Sequence, residues 1–443
     1  MADGNVKSPR SDDDGDDSGS GVVALELQQD RPLGRAGVRS HRFVRVVATA
    51  RHQPPGAERL PVRIAFALDR SGSMEGAKLA LAKQALRAAL LELRSDDVYA
   101  VAWFDPEVEV AAAAQPATPA NIKKTLARCD KLRTGGGTAL CAGWTAACEA
   151  LGPGDGRSVG RCVLLTDGQA NHGPSDPVTL AGLARQVRQR GICTSAIGVG
   201  QDFAEELLGK MAAAGDGRFY YAASATDVPR LVATELGEAK EVVARRVELA
   251  VRPSAGTYVE VLGDHPLQWT GTELRIFLGD LVSDQTVELA LRARLPAGKV
   301  GAVASVEVAA YEAGEPSLLP FRSARWTLAD STANDRQARE RDVDRLVARL
   351  YAARARMEAV TCNREGLYDA AAAVLQAVAQ RIGGYAAGDA ELTALVADLH
   401  AEVVAFRHEM TEHDRKSTYH RSAQTTRSKM EDGTSMRSWV PKP

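Results

Sequence analysis

The sequence predicts a doubly wound α/β domain that adjoins an antiparallel β-sandwich and is followed by a C-terminal helical bundle. Between residues 62 and 236, short β-branched apolar runs alternate with stretches long enough for helices, which is typical of a parallel sheet covered on both faces. Between residues 237 and 328, runs of alternating apolar and polar residues are separated by Gly, Pro and Asp, which indicates a sandwich. Residues 333–411 carry apolar stripes at helical spacing.

The α/β prediction rests on near-continuous apolar runs, which suit strands buried on both faces. Strong helix-forming stretches separate these runs and supply the crossovers that parallel strands require. The predicted strands are 62–68, 98–104, 162–166, 192–199 and 218–222.

The flanking segments complete the domain plan. Residues 1–20 are mostly Asp, Gly and Ser, so we predict a disordered acidic N-terminus. Two β-like runs within 21–50 have no sheet of their own, and we expect them to pair with the sandwich, leaving the α/β domain inserted between sandwich strands. Residues 414–443 are rich in Ser, Thr, Lys and Arg, which predicts a flexible basic tail.

Composition narrows the function classes. The chain has 443 residues and a formal charge of −2, which gives no electrostatic basis for binding nucleic acid or anionic lipid. No apolar run approaches the roughly 18 residues needed to span a bilayer, and the N-terminus lacks the apolar core of a secretory signal. The six cysteines form no C-x-x-C pair, so we expect reduced thiols in a cytoplasmic protein.

One loop carries the chemistry of the α/β domain. In the stretch FALDRSGSMEG, Asp69 ends the first predicted strand, and Ser71 and Ser73 follow at every second position. Asp167 ends another strand in CVLLTDGQAN, and Thr138 follows a run of three glycines. Ligands of open α/β sheets collect at the carboxyl ends of strands, so we expect these five side chains to converge on one crevice.

The predicted donor set consists of oxygens. Hydroxyls of Ser71, Ser73 and Thr138 and carboxylates of Asp69 and Asp167 suit a hard divalent cation, either Mg²⁺ or Mn²⁺. Such an ion also keeps some of its water ligands. The alternating spacing lets one short turn aim three oxygens at a common point. We therefore predict a metal site at this loop.

Two other readings of the loop stay open at this point. Ser and Asp are favoured helix N-caps, so Asp69, Ser71 and Ser73 could simply begin a helix. A strand-ending Asp can also act as a nucleophile, which makes a metal-dependent phosphate-ester hydrolase the alternative of another class. Aspartyl phosphatases usually carry a second acid two residues later, where this sequence has Ser71.

The D-x-S-x-S loop at Asp69–Ser73, the Thr138 loop and the T-D-G segment at Thr166–Gly168 resemble the three parts of a metal-ion-dependent adhesion site. That site belongs to von Willebrand factor type A domains, and its five ligand positions are all filled here. The resemblance covers about residues 62–236. The whole layout is similar to bacterial multidomain proteins of this class.

The resemblance implies a function in binding rather than catalysis. In this family, Ser and Thr oxygens contact the metal and the aspartates often act through water, so an Asp or Glu of a partner protein completes the coordination. We therefore expect a non-enzymatic, metal-dependent protein-binding scaffold whose partner is unknown. An adaptor for a AAA+ ATPase is the alternative binding role. Because the chain shows no ATPase motif, a separate subunit would supply that activity.

Overall fold

Strands from both sides of the α/β domain in sequence build one sandwich. This architecture comes from a computed structural model that describes residues 22–54, 56–312, 315–316, 321–430 and 434–437. The predicted disordered segment, residues 1–20, lies outside the described residues. The predicted fold class, an α/β domain with an antiparallel sandwich and C-terminal helices, is confirmed.

The described secondary structure is as follows. The strands are β1 (Val23–Gln29), β2 (Leu33–Arg35), β3 (Ser40–Ala50), β4 (Val62–Asp69), β5 (Val98–Phe104), β6 (Val108–Pro116), β7 (Val159–Thr166), β8 (Cys193–Val199), β9 (Asp216–Ala222), β10 (Val242–Pro253), β11 (Tyr258–Val261), β12 (Leu267–Thr270), β13 (Glu273–Val282), β14 (Thr286–Leu295), β15 (Val303–Glu312), β16 (Glu315–Pro316) and β17 (Arg322–Ala329). The helices are α1 (Ala77–Leu91), α2 (Pro119–Asp130), α3 (Leu140–Leu151), α4 (Pro177–Gln189), α5 (Glu205–Ala214), α6 (Val228–Lys240), α7 (Ser331–Arg336), α8 (Arg341–Arg364), α9 (Tyr368–Gly383), α10 (Ala390–Phe406) and α11 (Glu412–Thr426).

The sheet of the α/β domain has the strand order β6-β5-β4-β7-β8-β9, in which all neighbours are parallel except the antiparallel edge strand β6. The chain moves from β4 to β5 on one side and later returns to β7 on the other. Strand β4 is therefore the topological switch point, where open α/β sheets bind their ligands.

Alternate residues of β4 face two separate cores, which explains its continuous apolar run. Ile64 and Phe66 pack among side chains of α1, α2 and α6. Ala65 and Ala67 face the other core, which holds Trp144 and side chains of α3, α4 and α5. Small residues on that face leave room for the fully buried indole.

Two features of this domain differ from the sequence prediction. Helix α6 extends to Lys240, past the predicted boundary at residue 236, because Leu236 and Ala239 are buried in the same core as β4. Strand β6 was not predicted, since its exposed and buried residues do not alternate regularly and it pairs along one edge only.

The sandwich encloses its own core between two sheets. One sheet has the order β1-β3-β14-β11, and the other has the order β12-β13-β10-β15-β17-β2, with β16 beside β15. Strand β3 lies between β1 and β14, so the strands that precede the α/β domain pair with strands that follow it. Trp326, Leu249 and Val46 are fully buried between the sheets.

Both connections to the α/β domain pass the same turn of the sandwich. On the entry side, His52 Nδ1 lies 2.8 Å from the Asp284 carboxylate, and the Gln53 N–H donates to Ser283 Oγ at 2.9 Å. On the exit side, the Ser283 N–H donates to the Glu241 carbonyl at 3.0 Å. This turn therefore holds the two ends of the inserted domain together.

The C-terminal helices connect the sandwich with the α/β domain. The first half of α8, including Val343 and Leu350, packs on the sandwich residues Leu262 and Ala290. The second half of α8, with α9 and α10, belongs to the core that contains Trp144. Within the part of the chain that is described, no helix combines the length and the apolar character needed to cross a membrane.

The prediction of a flexible tail from residue 414 onward is wrong for α11. This helix packs on β9 and α5 through polar side chains: Lys416 Nζ lies 2.7 Å from the Glu205 carboxylate, and Gln424 donates to the Phe219 carbonyl at 2.7 Å. Further along, the Ser435 hydroxyl donates to Glu238 at 2.6 Å. The composition of this segment is polar because its buried face is hydrogen-bonded rather than apolar.

The packing of α11 predicts that removing the charge of Lys416 destabilises the protein. Lys416→Met should lower the free energy of unfolding by about 2 kcal/mol, because it removes one of the two cations that pair with the buried Glu205 carboxylate, while Arg364 stays paired with it. Urea denaturation of the full chain measures the loss. Lys210→Met is the matched control: Lys210 and Glu206 form a half-exposed pair on the surface of α5, so its change should stay within about 0.5 kcal/mol. Equal effects of the two substitutions would contradict the docked helix.

Candidate metal centre

The parallel pairing of β4 and β7 brings the two predicted carboxylates together. Leu68 pairs with Leu165, so Asp69 and Thr166 end the two strands at the same level. Thr166 Oγ1 donates to Asp69 Oδ2 at 2.5 Å, and the Ser71 N–H donates to Asp69 Oδ1 at 2.8 Å. Asp69 is fully buried, and this burial raises its pKa to about 6. Both oxygens of Asp69 are thus fixed in direction by neutral donors.

The hydroxyls of the two serines contact each other, and that of Ser73 also contacts Asp167. Ser71 Oγ lies 3.1 Å from Ser73 Oγ, and Ser73 Oγ donates to Asp167 Oδ1 at 2.7 Å. The loop is fixed in place by Met74, whose side chain is fully buried in the core under the sheet. The hydroxyls therefore converge as the sequence spacing predicted.

The alternative reading of this loop as a set of helix caps is wrong. Ser71 precedes a single 3-10 turn, Gly72–Met74, and its side chain makes no capping hydrogen bond. Helix α1 begins after Gly76, which has φ +80° and supplies no side chain. The hydroxyls are directed at one another and at Asp167 instead.

The glycine loop places Thr138 beside the serine loop. The Gly72 N–H donates to the Gly136 carbonyl, and the Gly135 N–H donates to the Arg70 carbonyl, both at 2.8 Å. A Cβ at Gly135 would lie 1.8 Å from an Asp105 oxygen, so only glycine permits this approach. The Thr138 N–H donates to Asn171 Oδ1 at 2.6 Å.

Thr138 Oγ1 and Ser73 Oγ both face Gly168, the residue after Asp167. A Cβ built on Gly168 would lie 3.3 Å from Thr138 Oγ1 and 3.6 Å from Ser73 Oγ. The three loops thus bring these hydroxyl and carboxylate groups together at the ends of β4 and β7.

The spacing of these oxygens fits a small divalent cation. An octahedral ion with bonds of about 2.1 Å places neighbouring ligand oxygens roughly 3 Å apart. The distances between Ser71 and Ser73 oxygens and between Ser73 and Asp167 oxygens are 3.1 and 2.7 Å. Ser71, Thr138, Asp69 and Asp167 are buried, whereas Ser73 is exposed, so the cluster opens to solvent on the Ser73 side.

The sequence did not predict every residue of this cluster. Lys78, in the first turn of α1, forms an ion pair with Asp167 Oδ2. Asn171 and Thr166 orient Thr138 and Asp69. Thr166 and Asn171 lie beside Asp167 in the quoted CVLLTDGQAN segment, which is a usable signal. Lys78 gives no such signal, because in the sequence a helical lysine that binds a carboxylate looks the same as one that faces solvent.

Comparison with protein families identifies the α/β domain. Residues 64–234 match the model of the von Willebrand factor type A domain. The chain contains a von Willebrand factor type A domain. The Synechocystis sp. protein sll0103 is 27% identical over 271 residues, which is 58% of this chain and 63% of that protein. The chain thus spans less than two thirds of that relative's length.

Solved structures share the fold well beyond this domain. A von Willebrand factor type A protein from Catenulispora acidiphila aligns with 94% of this chain and 98% of its own, with a TM-score of 0.67 and 18% identity. The ArnB paralog VWA2 from Sulfolobus acidocaldarius aligns with 88% of this chain and 100% of its own, with a TM-score of 0.58 and 16% identity. At these identities the likeness shows the fold alone.

The glycine loop yields a steric prediction. Gly135→Ala should lower the free energy of unfolding by about 1–3 kcal/mol, because the added methyl group overlaps Asp105, which is itself held by Arg70 and the Glu107 N–H. Chemical denaturation measures the change.

Gly237→Ala is the control for that substitution. Gly237 lies in α6, and no atom of the described residues outside the helix backbone lies within 4 Å of an added Cβ. Alanine there should therefore leave stability unchanged or raise it by up to about 1 kcal/mol. A Gly135→Ala protein as stable as the wild type would show that the loop does not approach Asp105 as described.

Proposed function

We propose that this protein is a metal-dependent protein-binding module in which a Mg²⁺ or Mn²⁺ ion at the Asp69 cluster accepts an Asp or Glu side chain of a partner. The observation that carries the proposal is the convergence of three hydroxyls and two buried carboxylates at the switch point, open on the Ser73 side. The type A domain is a known protein-interaction module, which supports a binding role.

The chain's own residues would hold the ion in the following way. Asp69, Ser71, Ser73, Thr138 and Asp167 would provide oxygens directly or through water. When bound, the ion would supply a Lewis-acidic point that attracts a carboxylate. Ser71 and Ser73 are neutral ligands, so they would leave the ion with positive charge for the incoming acid. The surrounding buried wall would reduce competition from water.

A binding role is favoured over phosphate-ester hydrolysis by the setting of Asp69. A nucleophilic carboxylate needs an oxygen free to attack, yet both Asp69 oxygens accept hydrogen bonds and the side chain is fully buried. Ser71 occupies the position where a second acid would assist. We therefore propose a protein without enzymatic activity.

The cellular setting is proposed from the thiols and the binding mode. All six cysteines are free, and five of them are buried, which supports a reducing compartment such as the cytoplasm. An adaptor for a AAA+ ATPase stays the alternative binding role.

Metal binding is tested by calorimetric titration of MnCl₂ into the chelator-treated full chain. We expect saturable binding that Asp69→Ala weakens at least about ten-fold, because the substitution removes a carboxylate oxygen donor. Asp369→Ala, which removes an exposed carboxylate on α9, is the control and should bind like the wild type. Equal binding by Asp69→Ala and the wild type would refute the site.

Partner binding is tested by paired affinity capture from lysate, with MgCl₂ or with EDTA. We expect proteins that are retained with MgCl₂ and lost with EDTA, and we expect Asp69→Ala to lose the same proteins in MgCl₂. Identical captures under both conditions would contradict a metal-dependent interface.

A further inference from the structure

The strongest unassigned feature of the centre is the ammonium group of Lys78. Its Nζ contacts Asp167 Oδ2, and the two groups form a salt bridge in which the Asp167 side chain is fully buried. Asp167 Oδ1 is taken by the Ser73 hydroxyl at 2.7 Å. A lysine thus satisfies one of the two carboxylate oxygens that the proposed metal site offers at Asp167.

The contact between Lys78 and Asp167 partly balances the negative charge of the two carboxylates. Asp69 and Asp167 are both fully buried, and burying a carboxylate without a cation is strongly unfavourable. Among the residues that the structure describes, the hydrogen-bond donors to Asp69 are neutral and come from Ser71 and Thr166. Within the described residues, Lys78 is the cation that pairs with this carboxylate cluster. Its positive charge therefore stabilises the buried carboxylates, as a bound metal ion would.

The local backbone makes the arrangement possible. Gly76, with φ +80°, turns the chain from the serine loop into α1, which begins at Ala77. Lys78 then lies in the first turn and reaches over the strand ends, where its Nζ would be 3.9 Å from a Cβ built on Gly200. Its side chain is 29% exposed, so the ammonium can move into solvent without repacking the core.

We propose that Lys78 is the counter-ion of the metal-free centre and competes with the divalent cation for Asp167. This inference rests on the proposed metal site and adds a determinant of its affinity. A divalent ion among these oxygens would lie close to the ammonium and be repelled by it in a partly dry cleft. Metal binding therefore requires Lys78 to release Asp167. A partner carboxylate can bind the centre only after the ion has replaced the Lys78 ammonium.

The test compares three full-length proteins in calorimetric MnCl₂ titrations after chelator treatment. Lys78→Met keeps the aliphatic stem and removes the charge, and it should lower the dissociation constant about ten-fold or more. Lys83→Met is the matched control, because Lys83 lies on the same helix but donates to the carbonyls of Leu132 and Asp130. It should bind Mn²⁺ like the wild type.

A second readout uses stability without any partner or activity. In EDTA, Lys78→Met should unfold at a lower temperature than the wild type, because Asp167 stays buried without a cation. At one fixed Mn²⁺ concentration, the upward shift of the unfolding temperature should be larger for Lys78→Met than for the wild type, because tighter binding stabilises more. Lys78→Gln, which retains a hydrogen-bond donor, replaces Lys78→Met if that protein does not fold.

The outcomes separate this inference from the proposed function. If the wild type and Lys83→Met bind Mn²⁺ and the uncharged Lys78 variant binds no more tightly, competition by Lys78 is refuted while the metal site stands. If no protein in the series binds Mn²⁺ saturably, the proposed function fails and the inference fails with it. If the uncharged Lys78 variant binds Mn²⁺ more tightly than the wild type and Lys83→Met does not, the result supports both the metal site and the competition by Lys78.

Discussion

The centre depends on one constraint, the side-by-side parallel pairing of β4 and β7 at the switch point of the sheet. This pairing brings Asp69 to the level of Thr166, the residue before Asp167. The serine loop and the glycine loop then lie above these strand ends and are joined by backbone hydrogen bonds at Gly72 and Gly135. The backbone thus fixes the positions of the loops, and the side chains supply the hydroxyl and carboxylate oxygens.

The sequence was sufficient for the parts that periodicity and strand ends control. The apolar run of β4 faces two cores, and such runs predict a covered parallel sheet. Once β4 and β7 are predicted as strands, the doubly wound topology places Asp69 and Asp167 at one edge. Ser71 and Ser73 were predictable for the same reason, since they lie in the short loop that follows β4. Thr138 lies between helices α2 and α3, and the three glycines before it were the signal for that loop.

The features that the sequence did not predict, the Lys78 contact and the packing of α11, both depend on polar side chains. Their hydrogen bonds and ion pairs leave no periodic pattern in the sequence. Lys78 belongs to an ordinary helix, and only the fold shows that its ammonium reaches Asp167. Helix α11 buries Lys416 and Gln424 by matching them to Glu205 and a carbonyl, so no apolar stripe marks its inner face. Partner choice of this kind is set by three-dimensional positions, which composition does not encode.

The shared turn at Ser283–Asp284 has a consequence for how the protein responds to damage. The α/β domain enters beside this turn through His52 and Gln53 and leaves beside it through Glu241. A protease that cuts one connection leaves the domain covalently attached through the other, and α11 still packs on it through Lys416 and Gln424. The insertion thus makes the metal centre a part that a single cut does not release from its scaffold.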